Sequence, residues 1–165
     1  FTKALQIDPD MADAFNNRGV ALRGKGEYEK AFADFNEALK INQKFAEAYF
    51  NRGMIYYIHQ QHFPALLNFA EALKIKPAYA DARFGRGITF AAIGQNERAI
   101  DAFKDVLLVD ASHLPAHRNL GIVLKNLKRD KEAAAQFRYV LKLKHDDIEA
   151  LKYLKEIENP EKPKD

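Results

Sequence analysis

The sequence predicts an all-α protein built as a linear stack of helix pairs, and three observations carry that reading. Residue types recur at a fixed spacing of 34: Gly19, Gly53, Gly87 and Gly121; Ala31, Ala65, Ala99 and Ala133; Phe1, Phe35, Phe69, Phe103 and Phe137; Leu5, Leu39, Leu73, Leu107 and Leu141. No insertion or deletion interrupts that register. Within each period the apolar residues fall at helical spacing in two runs parted by a short turn.

The first stretch, 1–11, matches only the end of a second helix through Phe1, Ala4, Leu5, Ile7 and Pro9. Its first-helix partner is missing, so the natural protein is expected to continue upstream with at least one more repeat. The period 12–45 reads as a helix over Ala12 to Arg23, a turn at Gly24-Lys25-Gly26, and a helix over Tyr28 to Ile41 carrying Ala31, Phe35, Ala38 and Leu39. Periods 46–79, 80–113 and 114–147 repeat this plan, with turns at His59-Gln60-Gln61, Ile93-Gly94-Gln95 and Leu127-Lys128-Arg129. Asn96 and Asp130 are expected N-caps of their second helices. Pro64 and Pro115 fall in first helical turns, where a missing N–H costs little; Pro9 and Pro77 mark stops.

Residues 148–158 are expected to form a terminal capping helix. Asp146 with Glu149 suggests a capping box, and Ile148, Leu151, Leu154 and Ile157 an apolar stripe. Residues 159–165 read as a disordered tail.

The small-residue columns have a physical motive. Glycine inside a helix costs about 1 kcal/mol relative to alanine, and the chain accepts it in every period. Placing Gly19 opposite Ala31 is expected to let paired helices nearly touch, with the phenylalanines filling the wider space alongside, each ring burying about 150–250 Å². A single pair cannot cover that apolar face, so stacked neighbours must.

Composition agrees with a folded chain. Of 165 residues 47% are hydrophobic, including 7 Tyr and 12 Phe, which excludes disorder. With 8 Gly and 6 Pro a collagen-like or linker composition is excluded, and the absence of Cys excludes a disulfide scaffold, an iron–sulfur centre and a thiolate zinc site. Zero cysteine says nothing about compartment. No run approaches the length of about 18 apolar residues that a membrane helix needs. The net charge is +3, its excess lying within 114–147 at Lys125, Lys128, Arg129, Lys131, Arg138, Lys142 and Lys144. A solvated helical face accounts for this cluster better than a nucleic-acid surface does.

The pattern resembles the tetratricopeptide repeat (TPR), a 34-residue helix–turn–helix unit with the signature W-x₂-L-G-x₂-Y…A-x₃-F…P. Here the first period reads Phe15-x₂-Arg18-Gly19-x₂-Leu22 and Ala31-x₃-Phe35; the second, Tyr49-x₂-Arg52-Gly53-x₂-Tyr56, Ala65-x₃-Phe69 and Pro77. The third keeps Gly87, Phe90, Ala99 and Phe103 with Arg83 in the aromatic place; the fourth keeps Gly121, Leu124, Ala133 and Phe137 with His117 there. The resemblance implies a right-handed α-solenoid, or superhelix, whose first helices line a concave, peptide-binding face. It also implies a non-catalytic scaffold for protein–protein interaction, with no cofactor. Alternatives are a substrate-recruiting or regulatory arm of a larger enzyme, and self-association through the open N-terminal end.

Candidate contacts follow from that placement. Asn17, Asn51 and Asn119, interrupted by Gly85, form a column whose carboxamides can both donate to and accept from a peptide backbone. Val20, Met54, Ile88 and Ile122 form an apolar column, with Phe50, Phe84, Tyr57 and Ile58 near it; its alternative role is packing between repeats. Asp13, Glu47 and Asp81 form an acidic row, broken by Pro115, that a basic ligand would suit. The carboxylate clamp of TPR proteins that grip chaperone C-termini resembles a Lys and an Asn one turn apart, an Asn on the next repeat and two basic residues one turn apart. This chain offers Asn16, Val20, Asn51, Asp81 and Gly85, or Phe50, Met54, Gly85, Pro115 and Asn119, and neither frame supplies the basic groups. A chaperone tail is therefore not the expected partner. Arg18, Arg52 and Arg86, replaced by Leu120, are expected to lay their stems on the core and snorkel outward. His113 and His117, four apart, and His59 and His62, three apart, lack the glutamate and third ligand of a metal site.

Overall fold

The computed structural model describes residues 9–159. Among them lie nine helices and no strand: α1 (Pro9–Gly24), α2 (Tyr28–Ile41), α3 (Ala46–Ile58), α4 (His62–Ile75), α5 (Ala80–Ala92), α6 (Asn96–Val109), α7 (Leu114–Asn126), α8 (Asp130–Leu143) and α9 (Ile148–Glu158). Residues 1–8 of the half-repeat expected over 1–11, and 160–165 of the tail expected over 159–165, lie outside the described residues. Contacts divide the chain into two compact units, Phe1–Thr89 and Phe90–Asp165, with the division inside α5.

Four of the expected turns are present, and each is built the same way. Gly26, Gln60, Gly94 and Lys128, again 34 apart, have positive φ of 78°, 58°, 74° and 61°. At each, the left-handed residue donates its N–H three residues back, to Arg23, Tyr57, Ala91 and Lys125. The next residue donates five back, Glu27 to Leu22, Gln61 to Tyr56, Gln95 to Phe90 and Arg129 to Leu124. This is the Schellman arrangement that satisfies the last carbonyls of a helix.

The same turn corrects the expected caps. The residue that closes one helix is also the N-cap of the next, so Gln95 and Arg129 occupy the cap positions and Asn96 and Asp130 become first helical residues. Neither cap's side chain accepts a capping bond from the first backbone N–H groups of its helix. Pro9 opens α1 instead of standing as a stop before it, since its fixed φ suits a first helical residue.

In the first unit α1 packs on α2, α2 on α3, α3 on α4 and α1 on α3. In the second, α6 packs on α7, α7 on α8, and α9 on both α8 and α7. The phenylalanine and alanine columns are the core: Phe35, Phe69, Phe103 and Phe137 are fully buried, as are Ala31, Ala65, Ala99 and Ala133. The glycines face the rings directly. A Cβ on Gly19 would lie 2.6 Å from Phe35 Cε1, and one on Gly121 would lie 2.7 Å from Phe137 Cε1. The glycine thus makes room for the aromatic ring. Phe69 is held on two sides, since a Cβ on either Gly53 or Gly85 would come within 2.8 Å of its ring.

Helix α9 is capped by Asp147, whose carboxylate accepts from Ala150 N at 3.0 Å, and not by Asp146, which is exposed. Its buried side is Ala150 with Tyr153, Leu154 and Ile157 half-buried, whereas Ile148 and Leu151 are exposed. A strict three-residue spacing drifts about 60° per step around a helix, so Ile148 and Ile157 cannot share one face.

Candidate functional site

Two arginines of the column, exposed Arg18 and half-buried Arg52, also hold partners across a helix pair. Arg18 grips Asp34 with two bonds of 2.7 Å, Nε to Oδ2 and Nη2 to Oδ1. Arg52, one period on, donates to Asn68 Oδ1 and Asn36 Oδ1, both at 2.8 Å. Each arginine therefore reaches from a first helix to its paired second helix, 16 residues later, and each also lies over the aromatic three residues before it, Phe15 or Tyr49. Asp34 and Asn68 are buried acceptors, so the reach satisfies groups that would otherwise be orphaned. The bond to Asp34 and its charge raise the Arg18 pKa above its ordinary value. Where Leu120 replaces arginine, Gln136 at the corresponding acceptor position bonds His117 Nδ1 at 2.7 Å instead.

In the first unit the Asn column splits. Asn17 is exposed; Asn51 is buried and donates its amide to Asn16 Oδ1 at 2.9 Å, bridging α3 to α1. Gly85, at the next equivalent point, faces Phe69 of the preceding helix. This lattice position lies between successive helices as much as on a surface. The apolar column runs from Val20, 38% exposed, to half-buried Met54 and Ile88.

Phe50 and the acidic row meet around one ring. Phe50 stands 5.3 Å from Tyr79 and 6.0 Å from Phe69, centroid to centroid. Lys76 Nζ lies 4.8 Å over the Tyr79 ring and bonds Glu47 at 2.9 Å. Burial, then the nearby carboxylates of Asp81 and Glu47, hold the Tyr79 hydroxyl well above its ordinary pKa, with Arg23 opposing. Asp13 and Asp81 are exposed, and Phe84 is half-buried. Three cavities in this unit are lined by other residues: Met11, Ala14, Phe15 and Arg18; Asn36, Lys40, Tyr49 and Arg52 among others; and a third between α2 and α3.

In the second unit Asn119 is half-buried and donates to Pro115 O at 2.9 Å, and Ile122 beside it is half-buried. The histidines have structural partners. His113 is the N-cap of α7, its ring accepting from Ala116 N at 3.0 Å. The His117 ring lies 4.1 Å from Tyr139. The basic cluster is partly neutralised within the unit: Lys125 pairs with Glu156, Arg138 with Glu158, and Arg129 with Glu132 and Glu97. Among the described residues no group of three His, Cys, Asp or Glu side chains gathers to hold a metal, and no helix is long and apolar enough to cross a membrane. The sequence reading missed the buried acceptors Asp34 and Asn68; their signal was a polar residue 16 positions after Arg18 and after Arg52, whereas Arg86 has Ala102 at that spacing.

A family profile described as TPR repeat matches residues 21–60, and one described as tetratricopeptide repeat matches 64–112 and 84–148. Among solved structures, TTC0263, a thermophilic TPR protein in Thermus thermophilus, is 25% identical with a TM-score of 0.76, over 88% of this chain and 80% of that one. The first TPR of Spaghetti (RPAP3), solved bound to the HSP90 peptide SRMEEVD, is 18% identical with a TM-score of 0.71, over 75% of this chain and 98% of that one. The APC/C hetero-tetramer Cut9–Hcn1 matches at 18% identity and a TM-score of 0.84, over 89% of this chain and 30% of that one. No curated protein matches the sequence.

Proposed function

Because the chain belongs to the tetratricopeptide repeat family, whose fold is generally a protein–protein interaction scaffold, we propose that it is a non-catalytic scaffold that binds an extended or helical peptide along its first helices. The observation that carries this reading is the apolar column that stays partly open: Val20 is 38% exposed, and Met54 and Ile88 are half-buried at equivalent points. Phe50 and Phe84 extend the strip, and Asn17 stands exposed beside it. Asp13 and Asp81 at its edge favour a peptide carrying basic residues, while Glu47 is already paired with Lys76. Asn119 and Ile122 offer the same residue types in the second unit.

The Spaghetti neighbour is solved bound to the HSP90 peptide SRMEEVD. This chain has Asn16, Val20, Asn51, Asp81 and Gly85 at the clamp positions, so its ligand is one that needs no carboxylate grip. Affinity is expected to be modest, in the micromolar range or about −8 kcal/mol.

The test is to identify the partner by pull-down and titrate it against Asn17→Ala/Asn51→Ala and, separately, Met54→Glu. A large loss with Met54→Glu in a folded protein supports the strip. Unchanged affinity in both variants removes the first-helix face from the account. A second reading, self-association through α1, is favoured by exposed Met11 and the cavity it lines with Ala14, Phe15 and Arg18. Light scattering that shows a monomer at high concentration counts against it.

A further inference from the structure

A cavity of about 380 Å³ opens between the start of α2 and the end of α3. It is lined by Tyr28, Glu29 and Phe32 from α2, by Ile55 and Tyr56 from α3, and by His59 and Gln61 from the turn that follows. Its volume falls within the usual range for small-ligand sites, about 300–1,000 Å³. Four aromatic rings make up most of the wall, arranged as two edge-to-face pairs. Tyr28 and His59 meet at 86° with centroids 5.7 Å apart, and Phe32 and Tyr56 at 82° and 5.2 Å.

The walls are held from behind. Tyr28 and Phe32 pack against the core cluster of Ala31, Phe35 and Ile55. The left-handed turn at Gln60 fixes His59 and Gln61 on either side of it.

Its chemistry is selective. The one charged side chain in the lining is the exposed carboxylate of Glu29, and no lysine or arginine lines it. Lys30, the nearest cation in sequence, is held by Glu27 at 2.6 Å. Aromatic rings present negative faces, and a cluster of them attracts an organic cation that sheds water easily. We infer that this cavity is a binding site for a methylated ammonium group, with Tyr28, Phe32, Tyr56 and His59 around the methyls and Glu29 at the rim balancing the charge. It is distinct from the first-helix strip. At about 100° per residue, Tyr56 and His59 project from a different side of α3 than Phe50 and Met54 do.

A methylated ammonium can belong to a free small molecule or to a methylated lysine, and the experiment separates the two. Nitrogen–proton and aromatic correlation spectra of the full chain are recorded with choline, with its neutral carbon isostere dimethylbutanol, and with a capped trimethyllysine. Resonances of Tyr28, Phe32, Tyr56 and His59 are expected to move with choline or trimethyllysine, with affinity about fivefold above that for dimethylbutanol. Whichever cation binds tighter identifies the source. Glu29→Gln, on an exposed side chain, is expected to keep the fold and weaken the cation alone. Phe32→Leu is expected to abolish the preference for charge, and Tyr56→Leu serves the same purpose if Phe32→Leu does not fold. Absence of movement at these rings, equal affinity for the neutral isostere, or a preference that survives both leucine variants would overturn the inference.

Discussion

Replacing Gly53 by alanine sets two known effects against each other. Gly53 lies inside α3, where alanine would favour the helix by about 1 kcal/mol. Its Cβ, however, would stand 2.8 Å from Phe69 Cε1, 3.0 Å from Cδ1 and 3.1 Å from Asn68 Cβ. Phe69 is fully buried, and its other side meets Gly85 at an equally close distance. The ring cannot retreat, so the strain of overpacking, about 1–3 kcal/mol, exceeds the gain. Net destabilisation of up to about 2 kcal/mol is expected. Urea unfolding followed by far-UV circular dichroism measures it, with Gly24→Ala as the control because nothing lies within 4 Å of a Cβ there. Adding Phe69→Leu to Gly53→Ala should cost less than the two single changes summed, by about 1 kcal/mol, because the smaller side chain frees the space. A Gly53→Ala protein as stable as the parent, or more so, would refute the claim that the glycine column exists to seat the rings.

Three further outcomes are expected. Arg52→Ala leaves the buried oxygen of Asn68 without its donor, and should cost about 1–3 kcal/mol in the same assay. Asp147→Ala removes the α9 cap and the ion pair to Arg118. Burial pushes the Asp147 carboxyl upward, but the Ala150 N–H and Arg118 outweigh it and leave its pKa lowered. A lowered folded pKa stabilises above the unfolded value, about 3.9, and that stabilisation fades as pH falls through the folded one. The stability gap between parent and Asp147→Ala, measured by denaturation across pH, should thus be full near neutrality and shrink below about pH 4. Finally, Ile148→Ser should be nearly neutral because the side chain is 81% exposed, while Leu154→Ser on the buried side of α9 should lower the melting temperature.

These contrasts mark where sequence was sufficient. Columns at a fixed spacing located the helix pairs, and α2 begins and ends where its apolar positions place it. Long-range identity of position is a strong signal because every period repeats the measurement. The caps at Asn96, Asp130 and Asp146 were each off by one residue, because a cap depends on the dihedrals of a single position, which periodicity does not encode. At Gly19 the pattern shows that a small residue is needed but not which atom approaches it, here Phe35 Cε1. At the candidate site, sequence placed Phe50, Glu47 and Asp81 in neighbouring columns, and the structure gathers them about Tyr79. It could not show that Asn51 faces Asn16 while Asn17 faces outward. The aromatic cavity was also hidden, since its rings come from two periods and from no shared column.

The left-handed turn has a consequence for how such chains drift over evolutionary time. The same backbone shape is adopted by Gly26, Gln60, Gly94 and Lys128, although a side chain there costs about 1–2 kcal/mol. Its hydrogen bonds run between main-chain atoms alone, so no particular side chain is required to transmit it. A lineage can therefore exchange residues at these hairpins freely, within a tolerance the surrounding helices supply. The fold can then persist while the text that spells it is largely rewritten.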